Sequence, residues 1–192
     1  VYGESERIPV TENAPLRPVS IYGATKVACE ALIQSCSESY GVKSIILRYA
    51  NVVGSRMRHG VIYDFIRKLL TNTRQLEILG DGMQIRSYIY IDDAIEATIT
   101  AWRRSKELFN IYNVASENWI TVKEVADIVS RTLKVSPKYV FKPVAHGIGW
   151  LGDVKAIALD IKKIRSLGFV PRYKSKEAVM KTAEKLKKSY NC

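Results

Sequence analysis

Two spacings of apolar residues alternate along the chain. Val122, Val125, Ile128, Val129 and Leu133 recur every three or four positions, the period of one helix face. Val179, Ala183, Leu186 and Tyr190 do the same between Lys176 and Tyr190, with lysines mostly on the far side. Lys43–Tyr49 (KSIILRY) has instead a continuous apolar centre, which suits a strand buried on both faces, as in a parallel sheet. Around these anchors the remaining elements fall into place. Ser20 is the expected N-cap of a helix through about Tyr40, ended by Gly41. A helix is expected over Val61–Leu70 and short strands over Leu76–Leu79, Ser87–Ile91, Phe109–Val114 and Tyr139–Phe141. Asp92 or Asp93 is expected to cap a helix to about Arg104, and Thr121 another to about Val135. Helices over about Asp160–Leu167 and Lys176–Tyr190 close the chain. The first twenty residues, broken by Pro9, Pro15 and Pro18, carry no periodicity.

Strands that alternate with helices define an α/β class. Composition agrees: 192 residues, 47% apolar and 26% charged, enough to bury a core of one to two domains. No apolar run approaches the ~18–20 residues of a membrane span. The net charge is +11, and from Asp160 onward ten Lys/Arg face three Asp/Glu. That surplus reads as the solvated side of docked helices rather than a nucleic-acid surface. The cysteines, Cys29, Cys36 and Cys192, are odd in number and form no C-x-x-C pair, so the reducing cytoplasm is the default location. His59 and His146 are the only histidines, and no spacing suggests a metal site. The first residue is Val1 rather than Met, as in a processed chain or a piece of a longer one.

The sharpest candidate chemistry is Tyr22-Gly23-Ala24-Thr25-Lys26 at the start of the first helix. Positions i and i+4 share a face, so phenol and ammonium lie a turn apart. An ammonium beside a phenol favours the phenolate, and a helix N-terminus acts in the same sense. A tyrosine so tuned can serve as a general base near neutral pH. Chance alone yields about one such pair in a chain this rich in Tyr and Lys. The same spacing also reads as an exposed stripe, continued by Glu30 as an i,i+4 partner of Lys26. Asn51 follows the buried-looking strand, where open α/β sheets bind ligands.

Several ordered segments then carry a resemblance. They are Val1-Tyr2-Gly3-Glu4, Tyr22-Gly23-Ala24-Thr25-Lys26, Arg48-Tyr49-Ala50-Asn51-Val52-Val53-Gly54 and His59-Gly60-Val61-Ile62. Leu79-Gly80-Asp81-Gly82, Arg86-Ser87-Tyr88-Ile89-Tyr90-Ile91-Asp92-Asp93 and Gly149-Trp150-Leu151-Gly152-Asp153-Val154 complete the series. Together they resemble the C-terminal part of an extended short-chain dehydrogenase/reductase, of the archaeal UDP-glucose (UDP-galactose) 4-epimerase type. The resemblance covers essentially the whole chain. It implies part of a doubly wound, Rossmann-like sheet in residues 1–53, and a smaller α/β substrate-binding domain over 54–192, interleaved with the first. It implies NAD as cofactor, a UDP-sugar as substrate and a homodimer. Tyr22 would be the catalytic base and Lys26 would hold the nicotinamide ribose. Tyr49 and Ala50 would lie beside the nicotinamide. Asn51, Gly60, Val61, Leu76, Glu77, Ile78, Arg86 and Asp153 would line the UDP-sugar, with Arg86 suited to a pyrophosphate.

The implied activity is inversion at C4 of a UDP-hexose through a 4-keto intermediate. Related readings are another NDP-sugar epimerase, a 4,6-dehydratase, or a non-catalytic nucleotide-sugar-binding fragment. The family's Gly-x-x-Gly-x-x-Gly and its catalytic Ser/Thr precede the segment matching Val1-Tyr2-Gly3, so this chain by itself is expected to be inactive. Ile148 stands where an arginine often precedes the Gly-Trp of the later loop. Gly147-Ile148-Gly149-Trp150-Leu151-Gly152 spells G-x-G-x-x-G but lacks the strand before and the helix after that a dinucleotide fingerprint needs.

Overall fold

The computed structural model describes residues 1–5 and 7–190; Cys192 lies outside them. Helix α1 (Ile21–Tyr40) leads into strands β1 (Ser44–Tyr49) and β2 (Asn51–Val53), then α2 (Val61–Thr71) and β3 (Gln75–Leu79). Next come β4 (Ile85–Arg86), β5 (Tyr88–Tyr90), α3 (Ile91–Arg104), β6 (Phe109–Val114), β7 (Ile120–Thr121) and α4 (Val122–Leu133). β8 (Lys138–Lys142), β9 (Ala156–Ile157), α5 (Lys162–Arg165) and α6 (Ser175–Tyr190) complete the fold. Ser20 caps α1 as expected, its hydroxyl accepting from the Gly23 N–H at 3.1 Å, and Gly41 closes the helix in the left-handed region.

Pairing is mostly parallel. β1 lies beside β6, β2 beside β5 and β3 beside β8, while β4 runs between antiparallel β7 and parallel β9. Ala50 is the pivot of the site. Its N–H still bonds the β6 residue Val114, whereas the next N–H, on Asn51, bonds Ser87. One extended segment therefore changes partner at Ala50, and a cleft opens there.

Two apolar cores flank the β2–β5 ribbon. Tyr88 and Tyr90 turn toward a core of α2, β3, α4 and α6. Ile89, between them, turns to a second core that holds Ala50, Ala94, Ala97, Tyr112, Ile164 and Phe169. Alternation along one short strand thus sends side chains to opposite sides of the molecule. Residues from both halves of the sequence build the second core.

Three expectations are corrected. Neither Asp92 nor Asp93 caps α3; Tyr90 occupies the cap position without a side-chain bond. Asp93 is buried and accepts from the Arg172 and Tyr173 N–H groups and from the Arg172 guanidinium, tying α3 to the approach to α6. The helix expected over Asp160–Leu167 is only Lys162–Arg165. Asp160 is held in extended pairing by its N–H to Val10, and its carboxylate takes the Lys162 N–H. Glu30 does not pair with Lys26. It accepts three hydrogen bonds from Arg48 on β1, the shortest 2.6 Å, because a guanidinium inside an apolar strand needs a buried counter-charge.

Candidate functional site

A cleft of about 980 Å³ runs past the carboxyl end of β1, between the start of α1, the start of α2 and the loop that carries Trp150 and Asp153. Its size sits at the upper end of ordinary ligand pockets. Tyr22, Tyr49, Ala50, Asn51, Gly60, Val61, Arg86 and Asp153 all line it. Tyr22 projects from the first turn of α1 and is 72% exposed. The Lys26 ammonium stands 5.4 Å from the centroid of the Tyr22 ring, as the i,i+4 spacing requires, but Lys26 is outside the cleft wall. Among the described residues Lys26 has no carboxylate partner within salt-bridge distance. The Tyr49 hydroxyl bonds the hydroxyl of Thr98 on α3, which holds the ring at the rim. Gly60 opens α2 with φ 87, a conformation a side chain would strain.

The structure does not bring Leu76, Glu77 and Ile78 to this cleft. Leu76 and Ile78 are fully buried in the first core and Glu77 points outward. β3 lies against β8 and the α2–α4 core, so only its carboxyl end reaches the cleft, through Leu79.

Arg86 and Asp153 form a buried pair at 2.7 Å. The guanidinium also donates to the carbonyls of Ile85, Val154 and Lys155 at 2.7–3.2 Å. Asp153 accepts further from the N–H of Gly149 and of Val154. The arginine is therefore already neutralised and clamps the Trp150 loop onto β4. Removing one member would strand a buried charge, at a cost of about 3–5 kcal/mol.

Two parts of the region were not legible in the sequence. Tyr2 lies under the Arg48 guanidinium, 4.9 Å from its ring centroid, and its hydroxyl donates to Asn113 and accepts from Arg48. Burial pushes that phenol up, so it stays neutral in the network. The only signal was a charged residue, Arg48, within an apolar strand. The second part is Gln84 and Tyr88, both buried on the cleft wall, where Gln84 Oε1 and the Tyr88 hydroxyl meet no partner with hydrogen-bond geometry among the described residues. Their signal was the alternation Gln84, Arg86, Tyr88 along one extended segment.

The residues suit the nicotinamide end of a dinucleotide: the Tyr22 phenol and the small side chain of Ala50 share the cleft where the strand switches partner, and the Lys26 ammonium stands behind the phenol, 5.4 Å from its ring centroid. They do not supply the adenine end. The Gly147–Gly152 stretch follows a 3-10 turn and runs to β9 without a helix. A Cβ on Gly147 would stand 2.2 Å from the Asp81 carboxylate, so that glycine serves loop packing. No group of three or more potential metal ligands gathers among the described residues.

Parallel strands with helices between them, and a cleft at a strand's carboxyl end, define an α/β protein of the nucleotide-binding type. The sequence profile of the NAD dependent epimerase/dehydratase family matches residues 1–115, and the chain belongs to that family. A Methanocaldococcus jannaschii protein, named provisionally as a UDP-glucose 4-epimerase, is 35% identical over 191 residues, 97% of this chain and 60% of that protein. A crystal structure of a UDP-galactose 4-epimerase superimposes with TM-score 0.89 and 41% identity, over 98% of this chain and 61% of that one. The Thermus thermophilus UDP-glucose 4-epimerase, solved with NAD, gives TM-score 0.82 and 31% identity, over 97% and 60%. The chain thus spans about 60% of the length of these relatives.

Proposed function

We propose that this chain carries the substrate side and the acid–base pair of an NAD-dependent UDP-hexose 4-epimerase. One observation carries the reading: Tyr22, with the Lys26 ammonium against its ring, shares a cleft with Tyr49, Ala50, Asn51 and the Arg86–Asp153 pair. Tyr22, Lys26, Tyr49 and Ala50 hold the nicotinamide end of the cofactor. NAD, when bound there, would supply hydride-transfer chemistry at C4, the chemistry that takes a hexose through a 4-keto state. Tyr22 takes the proton of the 4-hydroxyl and later returns it to the new one. Lys26 keeps a positive charge beside the phenolate while that proton is away. Asn51, Gly60 and Val61 bound the sugar-nucleotide, and the Arg86–Asp153 clamp keeps the Trp150 loop against it.

The division into a nucleotide-binding half, residues 1–53, and an interleaved substrate domain, 54–192, belongs to the same reading. It is supported by β1, which has a partner strand on one edge only among the described residues. Further strands holding the adenine end would extend the sheet from that edge. α1 supports a homodimer, as its outer face is apolar and exposed at Ile21, Leu32 and Tyr40. The family's name also embraces dehydratases, and a 4,6-dehydratase is the second reading.

Interconversion of UDP-glucose and UDP-galactose tests the proposal, in protein that includes the polypeptide completing the NAD site. Turnover is expected. Tyr22→Phe should lower it by roughly 10²–10⁴-fold with UDP affinity held, the range for loss of a general base. Wild-type rates in that variant would remove Tyr22 from the chemistry. Turnover by the 192-residue chain with NAD alone would overturn the placement of the adenine end.

A further inference from the structure

Tyr22, Lys26 and Glu30 stand four positions apart along α1, so a phenol, an ammonium and a carboxylate form one line on the helix. Opposite charges at i,i+4 attract, and such a line left to itself ends in an ion pair between Lys26 and Glu30. The fold produces another outcome. The Glu30 carboxylate turns inward and takes three hydrogen bonds from the Arg48 guanidinium at 2.6–3.2 Å, with the two side chains 13% and 6% exposed. Lys26 stays at the surface and meets no carboxylate within salt-bridge distance among the described residues.

Arg48 is fixed for this capture from its far side. Its Nη1 donates to the Tyr2 hydroxyl at 2.8 Å and to the Glu12 carbonyl at 3.1 Å. The Tyr2 hydroxyl donates in turn to Asn113 on β6, the strand beside β1. Nε and Nη2 are left to face α1, where they grip both oxygens of Glu30. A planar fork with five N–H groups serves both sides at once, which a lysine cannot do. A buried ion pair adds little stability over apolar side chains of the same volume, so stability by itself gives weak grounds for this one. Its position has an electrostatic consequence one turn away. An ammonium paired with a carboxylate is nearly neutral as seen from the phenol, whereas an unpaired one acts with its full charge.

We propose that Arg48 is a positioning residue for the acid–base pair: by holding Glu30 against β1 it keeps Lys26 free of a counter-ion, so that the whole ammonium charge is available to a Tyr22 phenolate. The inference rests on the reading of Tyr22 as the base and adds the device that protects its partner. Neither Arg48 nor Glu30 lines the cleft, so both act through Lys26 alone.

The test follows ionisation of Tyr22 by the carbon-13 resonance of its labelled ring, assigned from its loss in Tyr22→Phe. It uses the chain acetylated at Val1, whose α-amino group otherwise lies within electrostatic reach of Glu30 and Arg48. Arg48→Met releases the Glu30 carboxylate to Lys26, and the pH at which Tyr22 ionises should rise by about half a unit, the effect of cancelling one charge ~6 Å away in water. Arg48→Met combined with Glu30→Leu removes the carboxylate as well and should restore the wild-type position. The other titratable groups on the cleft wall, Tyr2, Tyr49, His59, Asp64, Arg86, Tyr88 and Asp153, are common to all these proteins. Where Arg48→Met fails to fold, Cys29→Glu carries the test: it sets a carboxylate three positions from Lys26 on the exposed side of α1 and should give the same rise. Unchanged ionisation in Arg48→Met or in Cys29→Glu overturns the proposal. A double variant that stays displaced like Arg48→Met also overturns it, because the shift then comes from altered packing. All these failures leave Tyr22 as the base, which turnover by Tyr22→Phe decides separately.

Discussion

Tyr88 holds its hydroxyl where ionisation is costly. Burial is the main cause, opposed by the Arg86 charge, and the phenol is pushed up to about 12. An unfolded tyrosine ionises near 10, so between those values the folded state keeps a proton that the unfolded state has lost. Stability from this group is therefore complete below about pH 10 and is lost as pH rises toward 12, on the order of 2 kcal/mol. Urea unfolding of wild type and Tyr88→Phe at pH 8 and at about pH 11 checks it. The wild type should lose more stability than the variant; equal losses would remove Tyr88 from the alkaline transition. Tyr22 and Lys26 were legible because their spacing within one helix sets their relation. The Arg86–Asp153 clamp was legible as two polar residues but not as a pair, since 67 positions separate them and only packing joins them.

α4 shows how far an element can be read locally. Thr121 accepts from the Glu124 N–H at 3.1 Å, and the Glu124 carboxylate takes the Thr121 N–H at 2.8 Å. This reciprocal cap satisfies two N–H groups that a helix start leaves open. Thr121→Ala should cost about 1 kcal/mol of stability, read as a lower thermal midpoint with the far-ultraviolet spectrum at low temperature unchanged. An unchanged midpoint would deny the cap any energetic weight. The helix ends at Ser20, Gly41 and Thr121 lay open in the sequence because capping is decided within four residues. The start of α3 did not, because the use of Asp93 depends on Arg172 and Tyr173, which arrive about 80 residues later. Leu76 and Ile78 lie in the first core rather than on the cleft wall for a related reason: alternation reveals that one face of β3 is buried, not against what.

At the scale of the molecule, α1 is the helix least covered by its own chain. Of its twenty residues only Gly23 and Ser37 are buried, although apolar side chains occur all round it. A helix of that character is stable when other surfaces cover it. Leu32, 67% exposed on its outer side, is the residue to probe. Sedimentation of the wild type should show a mean mass that rises with concentration, and Leu32→Glu should return it to that of the monomer. A wild type that stays monomeric, or a variant that still associates, would remove the α1 homodimer. The sequence by itself determined the α/β class, the order of the longer helices and strands, most helix ends and the Tyr22–Lys26 pair, because each follows from residues a few positions apart. The tertiary structure decided the change of strand partner at Ala50, the engagement of Arg86 with Asp153 and the two unsatisfied groups on the cleft wall. Those depend on which distant segments meet, and local propensity carries no information about a partner brought in by packing.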